Sequence, residues 1–152
     1  MSAIEEKEAI RDLFYRYCFA VDTQNFDDVA AMFTQDGVFD SVLIVKVKGR
    51  EAIREFLTRA VPKKGEGPAR KHCTVNSLIS LNGNTATATS YMLFFRESDS
   101  GIMTASAGRY EDILVKENGE WLFKQREIHL DIVDDPGLKI EVDLPHSTRN
   151  RG

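Results

Sequence analysis

The fold is decided by residues 70–97, which read RKHCTVNSLISLNGNTATATSYMLFFRE. Two runs rich in Val, Ile, Thr and aromatic residues flank Asn82-Gly83-Asn84, a turn that is typical of a β-hairpin. Two further runs of the same kind, about 102–116 and 120–132, each follow a polar turn that contains glycine. Consecutive hairpins predict a four-stranded antiparallel meander in the second half of the chain.

The first half of the chain has helical periodicity. Apolar residues recur at spacings of three and four at Ile10, Leu13, Phe14, Tyr17, Cys18 and Val21. A second helix is predicted over 25–33, a strand over 38–48, and a third helix after Gly49. Three N-terminal helices packed on a curved antiparallel sheet give an α+β fold, a cone-shaped α+β barrel with a cavity under the helices.

Length and charge limit the function classes. The 152 residues fit one domain, and we assign 1–133 to it and 134–152 to a C-terminal tail or flap. A net charge of -4 without a basic cluster argues against nucleic-acid binding. No apolar run approaches the roughly 20 residues that a membrane span needs, and the first residues do not resemble a signal peptide. We therefore expect a cytoplasmic protein with no membrane partner.

Asp22 and His72 are the candidate catalytic pair. Asp22 lies at the edge of the buried stripe of the first helix, and His72 lies in the first long strand. A carboxylate that contacts an imidazole fixes its tautomer and stabilises the imidazolium, which makes the pair a general base. A helix-end carboxylate and a packed core histidine are the simpler readings of the same two residues.

Several short motifs resemble the SnoaL-like and ketosteroid-isomerase-like superfamily, also called nuclear-transport-factor-2-like. The motifs cover most of the chain and lie at residues 9–17, 21–22, 32–39, 49–53, 108–112 and 119–123. Within the superfamily the pattern is similar to the branch that contains scytalone dehydratase, bile acid 7α-dehydratase and hexachlorocyclohexane dehydrochlorinase.

The resemblance implies an activity and four site residues. It predicts a cofactor-independent lyase, a dehydratase or dehydrohalogenase, that acts on a small hydrophobic, cyclic substrate. In this reading His72 removes a proton from carbon, Asp22 holds its far nitrogen, and Tyr17 and Arg126 stabilise the developing charge. The alternatives are an isomerase or cyclase of the same fold, or a non-catalytic module that binds a small ligand.

The sequence also predicts the walls of the cavity and the assembly. We expect the substrate to contact Phe14, Phe33, Phe56, Asn76 and Leu78.

No metal is expected, because histidines 72, 129 and 146 lack ligand spacing, and no cofactor is expected, because phosphate-binding loops are missing. One uncovered sheet face predicts a homo-oligomer, a trimer or a dimer. The segment 62–68 and the tail are predicted to gate the cavity.

Overall fold

A computed structural model describes residues 1–42 and 44–133. Three helices pack on one sheet of six strands, with the order β2-β1-β6-β5-β4-β3. The helices are α1 Ala3–Asp22, α2 Phe26–Ala31 and α3 Arg50–Ala60. The strands are β1 Phe33–Ser41, β2 Val45–Lys48, β3 Arg70–Asn82, β4 Thr85–Ser98, β5 Gly101–Glu117 and β6 Glu120–Val133.

The predicted meander is confirmed. β3, β4, β5 and β6 pair in sequence order as antiparallel neighbours, and β1 adds to β6 as a parallel strand. Over the described residues the sheet is mostly antiparallel and open, with β2 and β3 at its two edges. The α+β prediction is therefore correct, and in residues 1–42 and 44–133 the sheet under the helices does not close into a barrel.

The long helix α1 follows from its sequence. The side chain of Ser2 accepts from the backbone N–H of Glu5, and the Glu5 carboxylate accepts from the backbone N–H of Ser2, so the first turn is capped. The predicted apolar stripe is buried against the sheet. No helix in residues 1–42 and 44–133 is both long and apolar enough to cross a membrane.

Two predicted boundaries between α2 and α3 are wrong. α2 ends at Ala31, and Phe33 already pairs with Phe123 as the first residue of β1. The predicted strand over 38–48 is a hairpin, because Ile44 donates its backbone N–H to the Ser41 carbonyl and the chain then returns as β2. Phe33 joins the sheet because its ring packs in the core against Phe123, with the two ring centroids 5.2 Å apart.

Candidate functional site

A cavity of about 980 Å³ opens between the helices and the concave face of the sheet. Its walls come from the end of α1, from α3, from the segment 61–69 that follows α3, and from all the long strands. Much of the wall is apolar and includes Val21, Phe39, Phe56, Leu57, Met92 and Phe94. Such a space suits a small, largely apolar molecule held by a few polar groups.

Asp22 and His72 meet at the wall of this cavity. Nδ1 of His72 lies 2.6 Å from Oδ1 of Asp22. The same carboxylate accepts the backbone N–H of His72, at 3.0 Å from Oδ2. The Asp22 side chain is 6% exposed and that of His72 is 23% exposed, so the contact is shielded while the ring still reaches the cavity.

The contact determines which ring nitrogen can act as a base. An ionised carboxylate only accepts hydrogen bonds, so Nδ1 of His72 carries the proton that it donates to Asp22. Nε2 is then the unprotonated nitrogen of the neutral ring. In the described part of the chain no group lies within hydrogen-bond distance of Nε2. The arrangement can therefore accept a proton from a molecule in the cavity.

The packing of α1 on β3 explains why these residues meet. One helical turn before Asp22, the thiol of Cys18 lies 3.3 Å from the hydroxyl of Thr74. Four residues of a helix rise about 6 Å and two residues of a strand about 6.6 Å, so the spacings of the two elements match. Burial raises the pKa of the Cys18 thiol, which keeps it a neutral partner for Thr74.

A β-bulge changes which side chains of β3 face the cavity. Asn76 has a φ of 51°, and the pairing of β3 with β4 shifts between Val75 and Leu78. His72 and Thr74 face inward before the bulge, but Leu78 after it is 76% exposed. Asn76 is exposed as well. The prediction that Asn76 and Leu78 line the cavity is therefore wrong, because strict alternation fails at the bulge.

Phe94 is a site residue that the sequence reasoning missed. It lies directly opposite His72 on β4, and the two ring centroids are 4.6 Å apart. The ring packs against one face of the imidazole and limits how it can turn. The hairpin predicted at 82–84 could have revealed this neighbour. It pairs β3 with β4, and counting residues outward from the turn places an aromatic residue near His72.

Tyr17 lines the cavity from α1 and stays protonated there. Burial raises the pKa of Tyr17 well above its ordinary value, and the positive charge of Arg126 opposes this only in part. A neutral phenol is a hydrogen-bond donor. The Tyr17 ring packs edge-on against Tyr110, which also lines the cavity.

Arg126 lies behind the wall of the cavity. It is fully buried, and its guanidinium donates two hydrogen bonds of 2.9 Å to Asp112. Its carbon Cζ lies 4.3 Å from the Tyr17 ring centroid and 3.9 Å from that of Tyr110. Arg126 is not among the residues that line the cavity, so the expectation that it touches a substrate is not met. Sequence reasoning also missed its partner Asp112.

Of the three phenylalanines predicted to contact the substrate, only one lines the cavity. Phe56 lines it, from the inner side of α3. Phe14 and Phe33 are fully buried in the core, where both rings pack on Phe123. Neither ring is among the residues that line the cavity, so both are packing residues and this part of the prediction is wrong.

The segment 62–68 lies along the cavity, and its gating role stays a prediction. It lines the opening, and the Gln24 side chain holds it through the Pro62 carbonyl at 2.6 Å and the Lys64 backbone N–H at 3.1 Å. Gln24 comes two residues after the end of α1 and has a φ of 60°. The tail over 134–152, which we predicted as a second cover, lies outside the described residues.

A second group of side chains has the chemistry of a metal site. Ligand atoms of Glu111, Glu127 and His129 lie within 4.8 Å of one another on neighbouring strands. Nε2 of His129 is 2.6 Å from Oε1 of Glu127, and Arg109 donates to Glu111 at 2.9 Å. The expectation of no metal rested on the spacing of histidines and cysteines along the chain, whereas these ligands come from paired strands.

Comparison with known proteins places the chain in a family. Residues 2–127 match the SnoaL-like domain, and the protein belongs to this family. The beta subunit of methanesulfonate monooxygenase hydroxylase from Methylosulfonomonas methylovora is 26% identical over 85% of this chain and 82% of its own.

Two solved structures illustrate the shared fold. A function-unknown protein from Mycobacterium tuberculosis superposes with a TM-score of 0.76 at 28% identity, over 92% of this chain and 86% of that one. A candidate scytalone dehydratase from Novosphingobium aromaticivorans has a TM-score of 0.76 at 23% identity, over 90% and 91% of the two chains. The second likeness shows the fold alone.

Proposed function

We propose that the protein is a cofactor-independent lyase that eliminates water or a halide from a small hydrophobic, cyclic substrate. The observation that carries this function is the 2.6 Å contact between Nδ1 of His72 and Asp22 at the wall of an apolar cavity. It leaves Nε2 as a base in a space that can hold a ring system.

The chemistry follows from the protonation of the dyad, by which we mean His72 and Asp22. Nε2 of His72 takes a proton from the carbon next to a carbonyl group, and the negative charge of Asp22 stabilises the imidazolium. The electrons of the broken C–H bond form the new C=C bond while the neighbouring C–O bond breaks. The departing hydroxide takes the proton from Nε2 and leaves as water. A halide instead leaves as the anion, and the imidazolium loses its proton to solvent.

Tyr17 supplies the second part of the mechanism. As a neutral phenol in the cavity wall, it donates a hydrogen bond to the carbonyl oxygen that becomes negative as the proton is removed. Arg126 acts as a positioning residue. Its guanidinium stacks on the Tyr17 ring and is itself fixed by Asp112, so it orients the phenol without contacting the substrate.

A panel of cyclic β-hydroxy ketones and β-halo ketones tests this function. The protein is incubated with each compound in D2O, and mass spectrometry follows the loss of water or halide and the uptake of deuterium. We expect elimination from at least one ring class, lost by at least 100-fold in His72→Asn. His129→Asn is the matched control, because that ring lies on another face and contacts Glu127.

The same experiment separates the isomerase or cyclase alternative. An isomerase would exchange the proton for deuterium without losing water or halide, in a manner that still depends on His72. Elimination that is equally fast in His72→Asn would contradict the lyase function. Binding of the panel without exchange or elimination would favour a ligand-binding module.

A second function is a non-catalytic subunit of an oxygenase. It is favoured by the likeness to a hydroxylase beta subunit, which extends over most of both chains. In that case the protein needs a catalytic partner chain, and the dyad has a packing role. The stability of His72→Asn distinguishes the two functions: a packing role predicts a large fall in melting temperature, whereas the lyase function predicts almost none.

We also propose that the protein forms a homo-oligomer, a trimer or a dimer, through the outer face of the sheet. Val75, Leu78, Tyr91 and Ile113 are exposed on β3, β4 and β5. Apolar side chains in such number on one face are normally covered by a partner. Light scattering at micromolar concentration measures the mass, and a monomer would contradict this assembly.

A further inference from the structure

We infer that Tyr110 is a second catalytic hydrogen-bond donor, which acts together with Tyr17 on one carbonyl oxygen of the substrate. This inference rests on the proposed function, because it assigns a further residue to the same reaction and places a ketone group beside the two tyrosines. The two phenols form an oxyanion hole, a pair of donors that holds the oxygen as it becomes negative.

Tyr110 presents an unused hydroxyl to the cavity. The residue is only 1% exposed, yet it is one of those that line the cavity wall. Within residues 1–42 and 44–133 its hydroxyl makes no hydrogen bond, whereas a buried tyrosine hydroxyl normally has a partner. Ser90, directly opposite on β4, differs in that its hydroxyl oxygen is fully enclosed by the protein. A carbonyl group in the cavity would supply the acceptor that the Tyr110 hydroxyl lacks.

The phenol of Tyr110 stays protonated and is therefore a donor. Burial raises the pKa of Tyr110 well above its ordinary value, the neighbouring phenol of Tyr17 adds to this effect, and the positive charge of Arg126 opposes it. A neutral phenol donates one hydrogen bond. Hydrogen bonds to an ionised oxygen are stronger than those to a neutral carbonyl, so the donor favours the transition state over the bound ketone.

One guanidinium positions both phenols. Cζ of Arg126 lies 3.9 Å from the ring centroid of Tyr110 and 4.3 Å from that of Tyr17. The two rings meet edge-on, with their centroids 6.1 Å apart and an angle of 77° between their planes. Asp112 fixes the guanidinium in turn through two hydrogen bonds of 2.9 Å. A carbonyl oxygen has two lone pairs, so it can accept from both phenols of such a pair.

The spacing between the phenols and the dyad fits a ketone whose neighbouring carbon loses a proton. Tyr17 precedes Asp22 by five residues on α1, which corresponds to a rise of about 7.5 Å. A base in contact with that carbon and a phenol bonded to the carbonyl oxygen are at most about 8 Å apart. Tyr110 contacts Tyr17 and Asp22 contacts His72, so α1 holds the two ends of the site at this separation.

The carbonyl band of a bound ketone tests the inference without a known substrate. The probe is 1-tetralone labelled with ¹³C at its carbonyl carbon, a cyclic ketone with one oxygen and no leaving group, and difference infrared spectroscopy reads the band on the full chain. Hydrogen bonds lower the stretching frequency of a carbonyl group. We expect a frequency well below that in hexane for the wild type, part of this shift in Tyr110→Phe or Tyr17→Phe, and none of it in the double variant.

A frequency that is the same in Tyr110→Phe and in the wild type would overturn the inference, and so would a wild type that does not bind the probe. Tyr15→Phe, whose ring is largely exposed, is the matched control and should leave the band unchanged. The opposite change, Tyr110→3-fluorotyrosine, keeps the ring and the hydroxyl and makes the phenol a stronger donor. It should lower the frequency further, which tests the same contact if Tyr110→Phe does not fold.

One further variant separates this inference from the lyase function. His72→Asn should retain the shifted band, because both phenols remain, while it loses elimination. Loss of the shift in His72→Asn would mean that the imidazole holds the carbonyl group, and the assignment to Tyr110 would be wrong. On a compound that the protein eliminates, Tyr110→Phe should lower kcat by about 10²–10³-fold. A shifted band without elimination would contradict the lyase function alone, and elimination with a band that ignores Tyr110 would contradict this inference alone.

Discussion

The carboxylate of Asp22 bonds both the ring and the backbone of His72. It lies 2.6 Å from Nδ1 and accepts the backbone N–H of the same residue at 3.0 Å. Two contacts from one carboxylate fix the imidazole relative to its strand, and Phe94 packs on the ring from the neighbouring strand. A base held this firmly needs little rearrangement before it accepts a proton.

Replacing Asp22 by Asn should reduce turnover strongly and stability little. The amide oxygen still accepts the backbone N–H of His72, but no negative charge stabilises the imidazolium. We expect kcat to fall by about 10²-fold or more, with a small change in melting temperature. Steady-state kinetics on whichever compound the panel identifies, together with thermal denaturation, measures both. Asp27→Asn, an exposed carboxylate on α2, is the control.

Replacing Tyr17 by Phe should remove a hydrogen-bond donor and keep the ring. The phenyl group still stacks on Arg126 and Tyr110, so the fold should be retained. Loss of one donor to a developing oxyanion typically costs about 10²–10³-fold in kcat, with KM changed little. Tyr15→Phe, whose ring is largely exposed, should leave kcat unchanged. An unchanged kcat in Tyr17→Phe would show that the Tyr17 hydroxyl does not take part in the reaction.

The ion pair of Arg126 and Asp112 should behave as a unit. Arg126→Met leaves the buried Asp112 carboxylate without its partner, and we expect the free energy of unfolding to fall by about 3–5 kcal/mol. The double variant Asp112→Leu/Arg126→Met should recover much of that loss, because it buries no unpaired charge. Urea denaturation measures both. Additive losses in the double variant would show that the two residues contribute independently.

Glu6 should make stability depend on pH. Its carboxylate accepts from Nζ of Lys116 at 2.6 Å and from Nε1 of Trp121 at 2.7 Å, and these hydrogen bonds lower the pKa of Glu6. A lowered carboxyl pKa adds stability that is present above the ordinary value of 4.5 and is lost as the pH falls through the folded-state value.

Glu6→Gln should therefore be less stable than the wild type at neutral pH, and the difference should shrink as acid is added. Urea denaturation at a series of pH values measures it. Glu120→Gln, an exposed residue at the start of β6, provides the control and should show a constant difference. If the difference in unfolding free energy between Glu6→Gln and the wild type does not change with pH, the effect comes from packing and not from charge.

Much of the fold could be predicted because its signals are local. The apolar stripe of α1 and the polar turns between the long strands each depend on a few neighbouring residues. The contact of Asp22 with His72 was predicted from a family resemblance, since no local pattern joins residues 50 positions apart.

The remaining errors arise from features that depend on the tertiary structure. A bulge at Asn76 in β3 shifts the pairing by one residue and turns Leu78 outward. Asparagine tolerates a positive φ, but an asparagine within a strand does not by itself predict a bulge. The family resemblance implies that Arg126 acts on the substrate in the cavity, but it cannot show how deeply that side chain is buried. Only the paired strands show that Asp112 lies near enough to neutralise it.

The role of His72 is tested most directly by its tautomer, which needs no substrate. Long-range ¹H–¹⁵N NMR correlations distinguish the protonated from the unprotonated nitrogen of a neutral imidazole. We predict a proton on Nδ1 and a free Nε2 for His72 in the wild type, with a weaker preference in Asp22→Asn. A neutral His72 that carries its proton on Nε2 would contradict its assignment as the base.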